Sequence, residues 1–318
     1  MILDILTQTV YQRVLVGTAL IGFSCGLLGT FTYLRRQALI ADVVGHSTML
    51  GVTSAFLFSV LALGIDGRNM IVIVIVSAIV GVLSSALSSF LERITPLGHD
   101  TTMAVILALT FGGGMALLSE INKRTFPSSK AGLKDYLFGN ATTLTWSDIR
   151  ISGAFALAAL LVVLILWSDI QLYIFDAAAA TVLGRPVRLV SIALTSATVI
   201  GIVIGVKAVG LVLVVAYVIL PAVSARQWVN SMRSMAILAG LFGMFASVAG
   251  SIISITAGKL PTGPTTVIVL TLLTVFSLLA APERSLILRA IRRRQARQVL
   301  LEQLQREAQG STMQEVTA

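Results

Sequence analysis

One cysteine, Cys25, and two histidines, His46 and His99, occur in 318 residues. Cys25 stands alone inside an apolar run, so an intrachain disulfide and a thiolate metal cluster are both excluded. Charge is scarce as well: Asp, Glu, Lys and Arg make up 12% of the chain, about half their share in soluble domains. Hydrophobic residues make up 56%, and the mean hydropathy is +0.94. A soluble enzyme or binding module is thereby excluded. No G-x-x-x-x-G-K-[ST] is present, so the chain has no P-loop for ATP, and without H-E-x-x-H it lacks the base and ligands of a zinc protease. Nor is there a nucleophile and base constellation for another intramembrane enzyme.

What the chain has instead is apolar runs of 17 or more residues along nearly its whole length. Each is long enough to cross a hydrocarbon core of about 30 Å as a helix. Lipid cannot satisfy backbone N–H and C=O groups, so an all-α polytopic transmembrane bundle follows. Nine spans are read: Val14 to Leu34, Leu39 to Leu63, Met70 to Leu91, Thr102 to Leu118, Ile149 to Trp167, Val187 to Val206, Leu211 to Ala225, Met235 to Thr256 and Thr265 to Ala281. The seventh is short and carries Pro221. This divides the chain into an N-terminal segment, 1–13, a membrane-spanning domain, 14–281, and a basic tail, 282–318. The first span is too long for a signal h-region, and no cleaved signal is expected.

The net charge is +9, yet seven of the 23 Lys and Arg lie beyond residue 283, after the last apolar run. That placement suits anionic lipid headgroups rather than nucleic acid. From Ser285 to Glu307, Leu, Ile and Val alternate with Arg, Gln and Glu at roughly helical spacing, which reads as an amphipathic surface helix. Placing this tail in the cytoplasm puts Arg35, Arg36, Arg93, Arg185, Arg188, Arg226 and Arg233 inside as well, in keeping with the positive-inside bias. Two connecting stretches stand out. Residues 122–147 are long enough to hold structure of their own. Residues 175–186 read as a short Ala-rich cytoplasmic helix stopped by Gly184 and Pro186.

A charge within a span costs at least about 2.5 kcal/mol at the helix centre, so each one calls for a reason. Asp42 and His46, four residues apart in the second span, lie on one helix face one turn apart. At about 1.5 Å per residue from Arg36, they sit about 9 and 15 Å into the membrane. Carboxylate plus imidazole suits zinc, manganese or iron, but two ligands are too few, and a second copy of the pair, a partner or water must complete the set. The same spacing also allows Asp42 and His46 simply to hydrogen-bond each other or a neighbouring helix. His99-Asp100 reads as a helix start capped by Asp100 or Thr101, Glu120 as a solvated helix end, and Gly112-Gly113-Gly114 as a close helix contact or a kink.

Five segments, in order, resemble the permease subunits of bacterial ABC importers for zinc, manganese and iron. Leu34-Arg35-Arg36-Gln37-Ala38-Leu39, running through Asp42, His46 and Gly51, is similar to that family's Arg-rich junction and G-D-x-x-S-H. Leu137-Phe138-Gly139-Asn140 is similar to its L-F-G element, and Phe175-Asp176, Ala180 and Leu183-Gly184 to the F-D-x-x-x-A-x-x-L-G segment that docks on the ATPase. Val209-Gly210-Leu211 through Leu220-Pro221-Ala222 resembles V-G-x-x-L…P-A, and Leu260-Pro261-Thr262-Gly263-Pro264 the P-[ST]-G-P turn. Ala41, Gly45 and Ala178 depart from the usual Gly, Ser and acidic residue. The resemblance implies a fold of the cobalamin-importer (type II) kind in a bacterial inner membrane. It implies an ABC ATPase subunit as partner, a second permease subunit and an extracytoplasmic metal-binding protein. No cofactor is held permanently; manganese or zinc, less readily iron, passes by Asp42 and His46. The alternatives are a secondary transporter or channel that works without ATP, for which a docking helix has no use, and an ABC importer of metal chelates or cobalamin. The odd span count predicts that Cys introduced at Ser129 labels from outside and Cys at Gln295 only from inside; labelling of both from one face would contradict nine spans.

Overall fold

The structure, a computed structural model, describes residues 8–282 except positions 68, 97, 125, 127–138, 140, 258 and 259. Leu137, Phe138, Asn140, Ser129 and the basic tail, all singled out in the sequence, therefore lie outside the described residues. Eleven α-helices follow in order: α1 Thr9–Leu34, α2 Ala38–Leu61, α3 Met70–Ile94, α4 His99–Lys123, α5 Trp146–Ile165, α6 Trp167–Phe175, α7 Ala177–Val182, α8 Val187–Val209, α9 Leu211–Trp228, α10 Met232–Ala257 and α11 Thr262–Ala280. One short 3-10 turn, Ala141–Thr143, precedes α5. Eight helices are long and apolar enough to cross a membrane, and α9 is a shorter apolar helix. Together they correspond one to one with the nine spans read from sequence.

Without water between helices, close packing rather than burial from solvent must hold the bundle together. Helix α1 runs through its middle, packed against α5, α8, α9 and α10. Its main partner is α10, whose buried residues recur at three- and four-residue steps and are mostly small: Ala236, Ala239, Gly240, Gly243, Ala246, Ser247, Gly250, Ser251 and Ser254. The two helices run antiparallel, with Thr18 Oγ1 3.0 Å from Ser251 Oγ at one end of the seam and Gly26 against Ala239 at the other. Between these points a side chain has no room: a Cβ on Gly22 would lie 2.5 Å from the Gly243 carbonyl oxygen. Of the Gly112-Gly113-Gly114 run, only Gly114 makes such a contact, its Cβ position being 2.6 Å from the Leu50 nitrogen on α2. Around the outside, Ile71, Ile75, Ile79, Leu83, Phe90 and Ile94 line the exposed side of α3. In water that stripe would be an aggregation surface; in a bilayer it faces lipid.

Two departures from the sequence reading concern breaks. The fifth span stops at Ile165, and Trp167 begins a separate helix, held by an edge contact to Phe31 of α1 with ring centroids 6.0 Å apart. The start of α4 is capped by Gly98, so neither Asp100 nor Thr101 is the cap; Asp100 lies in the first turn, where the helix dipole favours an acid. The fold predicts that Gly22→Val lowers the melting temperature and the monodisperse yield in detergent. A side chain forced into a filled seam costs about 1–3 kcal/mol or more, whereas Gly112→Val, whose Cβ position meets nothing within 4 Å, should behave as wild type.

Candidate functional site

Gln37 is the N-cap of α2, and five residues later the helix presents Asp42, then His46 one turn on. Their neighbours Ala41, Val43, Val44, Gly45 and Ser47 are buried, whereas Asp42 is 36% and His46 18% exposed. Val43 packs with Met103 and Ile106 of α4, Gly45 lies beside Val214 of α9, and the His46 ring stands edge-on to Phe111 of α4 at 5.0 Å. His46 Nε2 lies 3.3 Å from Asp42 Oδ1, and the buried Nδ1 has no hydrogen-bond partner among the described residues. That separation is close to the bite of a tetrahedral ion bound at about 2.0–2.1 Å to both atoms, which is about 3.3 Å. It equally fits a weak hydrogen bond within the pair. No cluster of three His, Cys, Asp or Glu occurs among the described residues.

At the same end of the bundle as the α2 start lies the short helix α7. Asp176 caps it, its Oδ1 accepting from the Ala179 N–H at 2.8 Å. The other end is a Schellman turn: Arg185 N–H donates to the Ala180 carbonyl and Gly184 N–H to that of Thr181, both at 3.0 Å, with Gly184 at φ +69°. Ala180 is buried and seats the helix. Phe175 and Leu183 are exposed, and so is Val182, which sequence reasoning passed over and which is the most exposed of the three at 88%. Asp169 of α6 pairs with Arg185 at 3.1 Å and braces the turn.

Arg35 was read from sequence only as part of a basic junction, and Tyr173 not at all. The half-buried guanidinium of Arg35 donates to Tyr173 Oη and to Thr195 Oγ1 of α8, both at 3.2 Å, and lies over the Tyr173 ring at 5.4 Å. Burial lowers the Arg35 pKa, and the hydrogen bond to Tyr173 offsets only part of that shift. At the opposite end of the bundle three of the sequence segments meet. Gly139, at φ +72°, lies against Val209 and Gly210, and a Cβ on Gly263 would be 2.6 Å from the Val209 carbonyl oxygen. Beside them Lys207 pairs with Asp148 at 2.8 Å, both mostly buried, and Asp148 also closes the capping box with Thr145. A lysine in the last turn of a span was the signal for that pair.

The model for the ABC 3 transport family matches residues 7–281. The chain is 34% identical to the "Zinc transport system membrane protein TroC" of Treponema pallidum, over 89% of this chain and 93% of that protein. It is 35% identical to the "Manganese transport system membrane protein MntC" of Bacillus subtilis, over 88% of this chain and 63% of that one. It is 29% identical to the "Chelated iron transport system membrane protein YfeD" of Yersinia pestis, over 84% of each. Among solved structures it resembles PsaBC from Streptococcus pneumoniae in complex with Fab, with TM-score 0.78 and 25% identity over 89% of this chain and 98% of that one. An inward-facing putative metal-chelate type ABC transporter shares the fold, with TM-score 0.59 and 19% identity over 84% of this chain and 85% of that one. Family, relatives and fold agree over nearly the whole described chain, which belongs to the ABC 3 transport family and is a multi-pass membrane permease subunit rather than an ATPase.

Proposed function

We propose that this permease passes a bare divalent transition metal, manganese or zinc, inward across a bacterial inner membrane, with Asp42 and His46 coordinating it in transit. The observation that carries this is the partly exposed acid and the more buried imidazole 3.3 Å apart on an otherwise buried helix face. A second permease copy bringing the same pair to a common axis gives two oxygens and two nitrogens, enough for either metal. Such a site binds weakly enough to release. Relatives named for zinc, manganese and chelated iron leave the cargo class open to all three, but carboxylate and imidazole donors favour an ion over a chelate, whose metal is already coordinated.

The energy comes from a separate ATPase. Phe175 at the end of α6, Val182 at the end of α7 and its C-cap Leu183 form the apolar contact surface, and Asp176, Ala180 and Gly184 hold α7 in shape for it. An extracytoplasmic binding protein delivers metal at the far end, beside Gly139, Gly210 and Gly263. The test is uptake of radioactive manganese and zinc by cells expressing Asp42→Asn or His46→Leu at matched membrane levels. Asn keeps hydrogen bonding but loses the anionic oxygen. Each variant should lose about tenfold or more, since removing even an outer-shell partner of a metal site costs 10–100-fold. Wild-type uptake by Asp42→Asn would leave the pair as a tie within the bundle.

A further inference from the structure

We infer that Arg35 and Tyr173 are positioning residues that carry movement of α7 to the helix bearing Asp42 and His46; this rests on the docking reading above. Helix α7 follows α6 with only Asp176 between them, while α6 is cut from the α5 span at Leu166. The α6–α7 unit is therefore hinged to its own span and fastened elsewhere. One fastening is apolar, Ile170 and Trp167 against Phe31 of α1. The other is Tyr173, two residues before the exposed Phe175: its hydroxyl accepts from Arg35 at 3.2 Å and donates to Ser191 Oγ at 3.1 Å.

Arg35 is the C-cap of α1 and stands two residues before the N-cap of α2. The corner between them is a second Schellman turn: Gln37 N–H donates to the Thr32 carbonyl at 3.1 Å and Arg36 N–H to that of Tyr33 at 3.0 Å. Its left-handed residue is Arg36, at φ +56°, the only non-glycine among the described residues with positive φ. A side chain there is strained where glycine would be free, and such strain persists where the surroundings fix it. The corner is thus stiff, and a pull on the Arg35 guanidinium turns the start of α2 rather than being absorbed in a loose loop. Arg35, Arg36 and Gln37 face Tyr173, Phe175 and Ala177 across an open groove of about 510 Å³, which leaves the two units room to move.

The test uses the complete transporter in proteoliposomes with external Mn2+ and its delivery protein. Tyr173→Phe keeps the ring over Arg35 but loses the hydroxyl, and Arg35→Lys keeps the charge but loses the two-armed fork. Both should retain the ATPase, the melting temperature and ATP hydrolysis, while Mn2+ moved per ATP falls about tenfold, as for loss of a hydrogen bond to a charged group. A Cys at the exposed Leu39 position on α2, against the buried Cys25 as background, should label at a nucleotide-dependent rate in wild type and lose that dependence in both variants. Wild-type metal per ATP, or retained nucleotide dependence at position 39, would overturn the inference. So would a fall in melting temperature that tracks the loss of transport, which is what a structural role produces. Val182→Glu tests the docking reading alone: it should lose the ATPase on purification, and ATPase retained with normal hydrolysis would overturn that reading and the inference built on it.

Discussion

The whole structure depends on the absence of water between its helices. Every backbone polar group in a span must be satisfied within its own helix, and helices then attract one another only through contact, so backbones must approach closely. The α1–α10 seam meets that demand with small residues on both sides, Gly22 and Gly26 against Gly243 and Ala239, and α2 does so with Gly51 against Ser77 of α3. Hydroxyls add to it at little cost: Tyr217 Oη lies 2.8 Å from Ser247 Oγ, and Ser247 donates to the Gly243 carbonyl at 2.6 Å. Close packing makes the helices stiff bodies, which is what the inferred link from α7 to Asp42 and His46 requires.

The same dry interior gives the few charged groups their meaning. Lys207 and Asp148 neutralise each other and tie α5 to α8 at the end of the bundle away from α7. Asp42 and His46 are different, because they face partly outward and lack a third ligand among the described residues. Under the proposed function a second copy of the chain would complete the ligand set that this pair begins.

Much of this was legible in sequence. Run length and the shortage of charge pointed to the eight long helices and the shorter α9, and the four-residue spacing of Asp42 and His46 to their shared face. The stop at Gly184 was legible since an Ala-rich helix followed by Gly and Pro has few other outcomes. Contacts between distant segments were not. Nothing local in Tyr173 announces a hydrogen bond to Arg35, 138 positions away, and no pattern marks Gly139 as the neighbour of Gly210. The helix break at Leu166 lies inside an apolar run with neither Pro nor Gly, so composition gave no warning. The shape of residues 175–184 also needed coordinates: Asp176 caps α7 from an exposed position, Ala180 is buried and seats it, and Val182 is left the most exposed of its apolar residues.

The central claim is that the permease pair itself coordinates the ion through His46, and the scarcity of histidine makes it open to direct measurement. Mn2+ trapped in the assembled transporter with its ATPase arrested can be examined by pulsed electron paramagnetic resonance for coupling to imidazole nitrogen. The account predicts nitrogen coupling from two equivalent histidines that disappears in His46→Leu and persists when His99, the chain's only other histidine, is replaced by Gln. Mn2+ held with no nitrogen coupling, or with coupling that survives His46→Leu, would contradict it.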